Sequence, residues 1–469
     1  MTTPRTIRYG LDDVPPPGRT GVFALQHVLT MFGSTVAVPL LLAGPLGLDT
    51  AGTALLISSV MLCSGVATLL QSTFGSRLPL IQGVSFSHLG PFLAIIAGVA
   101  ATGDASPGAA MPWIAGAIIG GALVEMGIGF SGLMGQVRKV LSPVVVGPVI
   151  TLIGLALYQA GAPVASQDWP IAVLTIALIV LFAFVLARKT HPAASLFAMF
   201  PMLLAILTAV AVCALLTLAG VYGSDHPARP DLSAFREADW VRTTTLVLPW
   251  GVPQFSLGFF VAILAGYLGS MIESFGDYHA VKQASGAGNP TPREISRGIG
   301  FEGVGCAITG LLGGFSSTSY SENVGLVGLT GVASRRVVQV AAVILVLLGV
   351  FGKFGALAAA IPGPVVGGLY CAMFGLIAAV GIRQFARCDL SSDRNLFIGG
   401  FALFMGLSVP YYFANGGSDA VTTALPAWAA GLVNALGSTG MAVGAILGLL
   451  LDNLVPGTDR ERGLVEEAS

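Results

Sequence analysis

The sequence predicts an all-α polytopic membrane protein, and three observations support this fold class. Of the 469 residues, 54% are hydrophobic and 10% are charged, whereas soluble domains carry about 25% charged residues. The mean hydropathy is +0.84, and apolar runs long enough to cross a bilayer recur along the chain. A disordered chain would be polar. The net charge of −1 gives no basic footprint for nucleic acid.

The cysteines and the polar residues give no sign of a metal site or an enzyme. The five cysteines lack CxxC or Cys/His spacing and are interpreted as small core residues. They are Cys63, Cys213, Cys306, Cys371 and Cys388. The apolar runs contain no nucleophile–base pair. We therefore expect no cofactor, and the sequence favours a transporter over a membrane-embedded enzyme.

Fourteen apolar runs are predicted to cross the membrane, since a transmembrane helix needs about 20 mostly apolar residues. Two are atypical: the third begins with a polar stretch, and the tenth is only half long enough. Misinterpretation of either would leave twelve or thirteen spans. The predicted spans are 21–43, 51–71, 80–100, 111–133, 141–161, 169–187, 193–221, 253–279, 298–314, 322–330, 337–351, 355–382, 395–412 and 428–451.

The distribution of basic residues predicts the orientation. Eighteen of the 22 Lys and Arg residues fall on the side of the two termini, and the positive-inside rule makes that side cytoplasmic. The segments 1–20 and 453–469 are therefore expected to be cytoplasmic tails, and the first has no signal-peptide pattern. The excess of Arg over Lys is typical of a GC-rich bacterial genome, so we expect a multi-pass protein of the plasma membrane, here the bacterial inner membrane.

The two atypical spans share a short pattern. Val84–His88 can be aligned with Thr318–Glu322, and both read as small residue, Ser, aromatic, Ser, ionisable residue. Seven spans separate the copies, so they enter the membrane from opposite sides. This predicts two inverted repeats of seven spans, with extended strands in segments 3 and 10 that build a substrate site near the midplane. A chance match in a Gly/Ser-rich chain is the alternative.

Acidic residues inside apolar spans are costly and mark functional sites. Glu273 and Asp277 are four residues apart, hence on one face of span 8. Two carboxylates at that spacing repel each other in a low dielectric, which favours the retention of a proton. The pair is therefore a candidate for proton coupling. The alternative for Asp277 is a solvated position at the cytoplasmic end of the span.

Three further ionisable residues have both a functional and a structural interpretation, and a fourth has a structural one alone. Glu322 either contacts a ligand or caps the tenth half-helix, and Glu302 either orders its neighbours or tunes the coupling site. His88 is the counterpart of Glu322 in the repeat, yet a hydrogen bond at a helix start explains it equally well. Glu125 is interpreted as an interhelix hydrogen-bonding group.

Aromatic residues occupy matching positions in the two polar stretches. Phe86 and Tyr320 could stack on a planar ligand, although aromatic residues of membrane proteins usually face lipid or the core. The adjacent hydroxyls of Ser85 and Ser321 complete the predicted substrate-binding set.

Three motifs resemble those of the nucleobase–ascorbate transporters, also called nucleobase–cation symporter family 2. Glu322–Gly331 fits the family signature of Gln, Glu or Pro, then Asn-x-Gly, four residues, Thr, and Arg, Lys or Gly. Gln26 and His27 match its Gln-His motif, and Glu273–Tyr278 is similar to its eighth-span acidic motif. The match covers residues 20 to 452.

The resemblance implies two domains, a homodimer formed through the gate domains and an elevator-like movement of the core domain. The core domain contains spans 1–4 and 8–11, and the gate domain contains spans 5–7 and 12–14. The implied boundaries are 21–140 and 251–352 for the core domain, and 141–250 and 353–452 for the gate domain.

The resemblance also implies roles for individual residues. Glu273 holds the edge of the base and Glu322 contacts the base from span 10, with Phe86 and Tyr320 beside it. Asp277 is linked to cation coupling, and Glu302 is assigned to coupling with it. Four residues give polar support to the site: Gln26, His27, His88 and Asn323.

The motifs point in two directions on the substrate. Uracil permeases have His at the position of Asp277, whereas Glu322 favours uracil because xanthine and urate carriers usually have Gln there. The Pro that begins the signature of ascorbate carriers is absent.

The leading hypothesis is a secondary active transporter that imports uracil or a related nucleobase by proton symport, with Na⁺ as the alternative coupling ion. The base would donate N–H groups to the two glutamates and accept hydrogen bonds from backbone amides of the strands. One rival is a carrier of xanthine, urate or another purine. The more remote rival is an anion transporter of the sulfate-carrier type, against which two carboxylates at the site argue.

Overall fold

The computed structural model is mostly helical and describes residues 7–104, 106–189, 194–242 and 246–464. Residues 1–6 and 465–469 of the predicted tails lie outside the described residues. The first half contains α1 (Pro17–Ala43), α2 (Thr50–Thr73), β1 (Gln82–Val84), α3 (Leu89–Ala101), α4 (Met111–Ser131), α5 (Met134–Val140), α6 (Pro143–Ala156), α7 (Tyr158–Ala165), α8 (Trp169–Val180), α9 (Ala194–Met199), α10 (Pro201–Leu218) and α11 (Ser233–Glu237).

The second half repeats this pattern of long helices interrupted by one short strand. It contains α12 (Leu257–Ala284), α13 (Pro292–Leu311), β2 (Ser317–Ser319), α14 (Ser321–Thr330), α15 (Arg335–Val350), α16 (Gly352–Ala359), α17 (Gly363–Phe385), α18 (Asp393–Tyr412), α19 (Ser418–Ala424), α20 (Ala427–Gly437) and α21 (Gly440–Leu454). Short 3₁₀ or π turns cover Phe86–His88, Leu181–Val185, Leu186–Arg188 and Phe413–Gly417.

Each predicted span coincides with at least one of these helices, but fewer than fourteen helices are long enough to cross a bilayer unaided. Within the described ranges, nine helices pass by length and hydropathy, and ten if a bent pair near the C-terminus counts as one span. The helices α3 and α14 are short because an extended strand precedes each of them. The count of fourteen crossings stays a prediction.

Several spans predicted as continuous are divided between two helices, among them 355–382 and 428–451. The span 355–382 divides between α16 and α17 at Pro362, because proline cannot donate a backbone hydrogen bond. The span 428–451 bends by 93° between α20 and α21. At the bend, a Cβ on Gly440 would lie 2.1 Å from the carbonyl oxygen of Gly406, so α21 can start this close to α18 only with glycine.

The strands predicted in segments 3 and 10 are present and pair with each other. They are antiparallel, with Gln82 opposite Ser319 and Val84 opposite Ser317. The pairing extends through a 2.9 Å hydrogen bond from the Ser85 amide to the Ser316 carbonyl. Extended backbone inside a membrane protein needs such partners, so the two half-spans are joined at the centre of the molecule.

Three helix pairs make the main contacts around the strands: α2 with α15, α4 with α13, and α6 with α17. All three are glycine-lined. A Cβ on Gly65 would lie 2.7 Å from the Ala342 carbonyl oxygen, and one on Gly129 would lie 2.2 Å from the Gly300 nitrogen. Close backbone approach through small residues is typical of membrane helices. This close approach buries polar side chains beside the glycines, such as that of Glu302 next to Gly303.

The terminal segments pack on the helices instead of extending freely into solvent. The amide of Arg8 donates to the Gly331 carbonyl at 2.8 Å, which holds the N-terminal segment at the end of α14. At the other terminus, Arg462 forms a 2.8 Å ion pair with Asp452, which is buried in α21. Both tails are therefore anchored where the structure describes them.

Candidate functional site

The centre of the molecule is a polar site where the strand pair meets α12. Ser274 lies at its middle. Its hydroxyl donates to Glu302 Oε2 at 2.5 Å and lies 2.8 Å from the hydroxyl of Ser319 and 3.1 Å from that of Thr318. One buried hydroxyl thus connects α12, α13 and β2. Sequence analysis missed Ser274 because it treated the acidic neighbours on either side as the informative residues.

The acidic residues predicted from separate spans come together here. Glu273 is half-buried on α12, and it interacts electrostatically with Asp277, Glu322 and Glu302. These residues are contributed by α12, α13 and α14. The structure therefore assembles four carboxyl groups around the strand pair, although their positions in the sequence span 50 residues.

Glu322 lies in the first turn of α14, and its side chain is exposed. The hydroxyl of Ser34 on α1 donates to its Oε1 at 2.9 Å. A carboxylate is favoured near the positive end of a helix. Because the side chain of Glu322 is exposed, it remains accessible to a ligand. Ser34 was not predicted, although the polar pair Ser34–Thr35 inside an apolar span is a signal that could have revealed it.

Asp277 is buried, with 6% of its surface exposed. The hydroxyl of Ser321 donates to its Oδ1 at 2.7 Å, and Oδ2 has no hydrogen-bond partner. The alternative of a solvated Asp277 is therefore wrong, since the side chain lies inside the helix bundle. Ser321, which directly precedes Glu322, links Asp277 to the start of α14.

The two aromatic residues occupy different environments. Phe86 is half-buried and packs against an apolar cluster to which α6, α12 and α21 contribute. Tyr320 is 3% exposed, its ring lies against Gly83, and its hydroxyl donates to the Val84 carbonyl at 3.1 Å. Phe86 is thus partly exposed, whereas Tyr320 is held against β1.

The remaining predicted residues of segment 3 form a buried hydrogen-bonded group. The hydroxyls of Ser85 and Ser87 lie 2.6 Å apart, and Ser87 also contacts His88 Nδ1 at 3.3 Å. The His88 ring packs edge-on against Tyr267 at 4.7 Å, and its Nε2 has no hydrogen-bond partner. This group supports the start of the half-helix α3.

The Gln-His motif and the signature asparagine meet at the contact between α1 and α14. Asn323 Nδ2 lies 3.1 Å from His27 Nδ1 and donates to the His27 carbonyl at 3.0 Å. Both residues are buried. Gln26 is half-buried one position earlier on α1. The contact fixes the half-helix that carries Glu322.

The charge of the site is one-sided. Across the part of the chain that the structure describes, the ion pairs of Lys and Arg lie elsewhere and none involves Glu273, Asp277, Glu302 or Glu322. The site presents carboxyl groups, hydroxyls and the first two amides of α14, which have no preceding helical turn to supply a carbonyl. Such a set binds an uncharged polar ligand with N–H donors more readily than an anion.

Two solved structures share the fold. The transmembrane domain of a cyanobacterial bicarbonate transporter, BicA, aligns with a TM-score of 0.55 at 14% identity, over 94% of this chain and 100% of that chain. Murine Slc26a9, an anion transporter in the inward-facing state, aligns with a TM-score of 0.61 at 13% identity, over 95% of this chain and 69% of that chain. At these identities the likeness concerns the fold alone.

Sequence comparison gives the family. The model of the Xan_ur_permease family, described as a permease family, matches residues 18–415. Human solute carrier family 23 member 2 is 38% identical over 496 residues, covering 97% of this chain and 76% of the relative. Murine solute carrier family 23 member 1 is 38% identical over 499 residues, covering 98% and 82%.

A plant relative extends the comparison. Nucleobase-ascorbate transporter 2 of Arabidopsis thaliana is 33% identical over 476 residues, covering 98% of this chain and 90% of the relative. The resemblance found in the three motifs is thereby confirmed along the whole chain. The protein is a multi-pass integral membrane transporter, not an enzyme, and it belongs to the permease family that contains the solute carrier family 23 proteins and the nucleobase-ascorbate transporters.

Proposed function

We propose that this permease imports a nucleobase, uracil or a related base, by proton symport. One observation supports this most strongly. Glu273 and Glu322, contributed by α12 and α14, interact electrostatically across one polar site that the broken spans form. Two carboxyl groups at one site match the paired N–H donors of a nucleobase edge, and Phe86 offers an aromatic face for stacking.

The base would bind between the strand pair and the two half-helices. Its N–H groups donate to Glu273 and Glu322. The amides of Ser85 and Tyr320 are already paired with carbonyls of the opposite chain segment, so the strand amides are poor candidates for binding the base carbonyls. The first two amides of α14, those of Ser321 and Glu322, take that role instead.

Phe86 forms the aromatic wall, whereas Tyr320 holds β1 and β2 together behind the base. The hydroxyls of Ser85 and Ser321 contribute polar contacts at the two ends. This arrangement keeps all six predicted substrate-binding residues at the site but divides them into ligand contacts and residues that position the strands.

Proton coupling is assigned to the acids around Glu273. Asp277 lies one turn along α12 and is connected through Ser321 to the start of α14, and Glu302 is connected through Ser274 to β2. Buried carboxyl groups of like charge favour a bound proton. A base that donates to Glu273 stabilises its charged form. The charge on Glu273 in turn favours a bound proton on the neighbouring acids, so base binding and proton binding are coupled.

The transport cycle we propose is elevator-like, with core and gate domains built from two inverted repeats of seven spans. The helix packing supports the repeat. In the fourteen-span count, α2 and α15 are spans 2 and 11, and their counterparts in the other repeat are α13 (span 9) and α4 (span 4). The pair α2–α15 and the pair α4–α13 are both in glycine-lined contact. A homodimer through the gate domains and cytoplasmic termini at the plasma membrane belong to the same proposal.

A purine carrier is the second candidate, because Asp277 stands where uracil permeases have His. The plant relatives carry the words nucleobase and ascorbate in their names. Of these two substrates a nucleobase is the better fit, because the signature begins with Glu322 and not with the Pro of ascorbate carriers. An anion carrier of the sulfate type is disfavoured by the same carboxyl groups.

Uptake of radiolabelled uracil tests the proposal. Cells that lack their own uracil carrier and express the wild-type chain should accumulate the label, and a panel of unlabelled pyrimidines and purines should compete according to preference. Glu273→Gln should abolish uptake at normal expression. Uptake by this variant at the wild-type rate would show that Glu273 does not hold the base.

The coupling ion is tested separately. Collapse of the proton gradient by an uncoupler should stop accumulation, while replacement of sodium by potassium should leave it unchanged. A sodium requirement would overturn proton symport but leave the site assignment intact.

A further inference from the structure

Glu125 is a buried acid that has no role in the substrate site. Its side chain, on α4, is 0% exposed, and neither carboxyl oxygen has a hydrogen-bond partner. A buried charge without partners is very costly. The sequence predicts that Glu125 makes a hydrogen bond between helices, but no such bond is present among the described residues. This residue therefore needs another explanation.

The position of Glu125 is determined by the contact between α4 and α13. A Cβ on Gly303 would lie 2.8 Å from the Ala122 carbonyl oxygen, so the backbones touch on either side of Glu125. Glu302 is the neighbour of Gly303 on α13, and its carboxyl group interacts electrostatically with that of Glu125. Glu302 Oε1 also lacks a partner.

The surroundings supply no positive charge. Among the described residues, no Lys, Arg or His bonds to either carboxyl group. The titratable groups that interact with the pair are Tyr267, Glu273, Asp277 and Tyr278 from α12 and Cys306 from α13. From α2, the amide of Gln71 reaches the hydroxyl of Tyr278 at 2.7 Å, and α3 carries no titratable side chain.

These neighbours leave three carboxyl oxygens unsatisfied. Tyr267 donates to the Ile118 carbonyl at 2.8 Å, and Tyr278 donates to Glu302 Oε2. Both oxygens of Glu125 and Oε1 of Glu302 therefore remain. A hard cation takes about six oxygen ligands, more than this tightly packed contact offers. A proton needs only two.

We propose that Glu125 and Glu302 bind a proton between them, forming a proton site behind the substrate site. This rests on the proposed proton symport and adds Glu125 to its machinery. The site communicates with the substrate site through one chain of contacts: Glu302 to Ser274, and Ser274 to Ser319 of β2. Loss of the shared proton leaves two charges in the contact and alters the hydroxyl that holds the strand.

Infrared spectroscopy of the full chain in lipid tests the site without substrate. At neutral pH the wild type should show the carbonyl stretch of a protonated carboxyl group, and Glu125→Gln should lose or shift it. Glu237→Gln, an exposed acid in the outer loop, is the matched control and should leave the band unchanged. Identical spectra for the two variants would overturn the proposal, as would a band that responds to sodium but not to pH.

Transport measurements in proteoliposomes separate coupling from structure. Glu125→Gln should retain exchange of labelled uracil at equal concentrations but lose the additional accumulation that an inward proton gradient drives, and Glu125→Asp should restore part of it. An equal loss of exchange and accumulation, with a lower melting temperature, would make Glu125 a structural residue and refute the proton site. If the wild type moves no base, the proposed function fails, while the infrared band still reports on the acid pair.

Discussion

Ser274 offers the most direct test of how the site is held together. Its hydroxyl contacts Glu302, Thr318 and Ser319, and the Ser319 amide lies 3.2 Å from it. Ser274→Ala removes a hydrogen bond to a buried carboxyl group, which contributes about 1.5–3 kcal/mol. Glu302 Oε2 retains the 3.3 Å bond from Tyr278. We expect the stabilisation of this arrangement to fall by about 2 kcal/mol.

The substitution weakens the attachment of β2 to α12, because the Ser274 side chain connects the two elements beside Glu273. If the whole 2 kcal/mol opposes the binding-competent arrangement, the Kd for the base rises by about 30-fold. Equilibrium binding of labelled base to purified protein measures the Kd, and thermal melting in the same detergent measures the accompanying loss of stability.

Ser270→Ala is the matched control. Ser270 lies one turn away on α12, is equally buried, and donates to the Tyr267 carbonyl of its own helix at 3.1 Å. Its substitution removes the same atom without separating α12 from β2, so the Kd should change by less than about threefold. Equal effects of the two substitutions on Kd and melting would refute the role given to Ser274.

Two further substitutions test the strand contact and the support of Glu322. Gly83→Ala would place a Cβ 2.4 Å from the ring of Tyr320 and should destabilise the protein by about 1–3 kcal/mol, seen as a lower melting temperature, whereas Gly127→Ala has nothing within 4 Å and should not. An unchanged melting temperature for Gly83→Ala would contradict the packing of the strand pair. Ser34→Ala removes the donor to Glu322 at 2.9 Å, about 1 kcal/mol, and should raise the Kd for the base about fivefold with little change in melting; an unchanged Kd would show that Ser34 does not support the ligand-bound site.

The sequence alone revealed the class of protein and the two polar stretches that form the strand pair. A charged fraction of 10% excludes a soluble fold, because charges must cover any water-facing surface. The two polar stretches revealed the strands, because polar residues in an apolar span indicate backbone that cannot be helical and lipid-facing at once. Spacing of four residues placed Glu273 and Asp277 on one helix face for the same local reason.

Only the tertiary structure decided which partners these residues have. The register of β1 on β2, the hydroxyl of Ser274 between α12, α13 and β2, and the burial of Asp277 all depend on contacts between segments far apart in the chain. The isolation of Glu125 does too, because a carboxyl group is unpaired only when the helix packed against it supplies no donor. Periodicity within one helix carries no information about its neighbour, so these features required the packed fold.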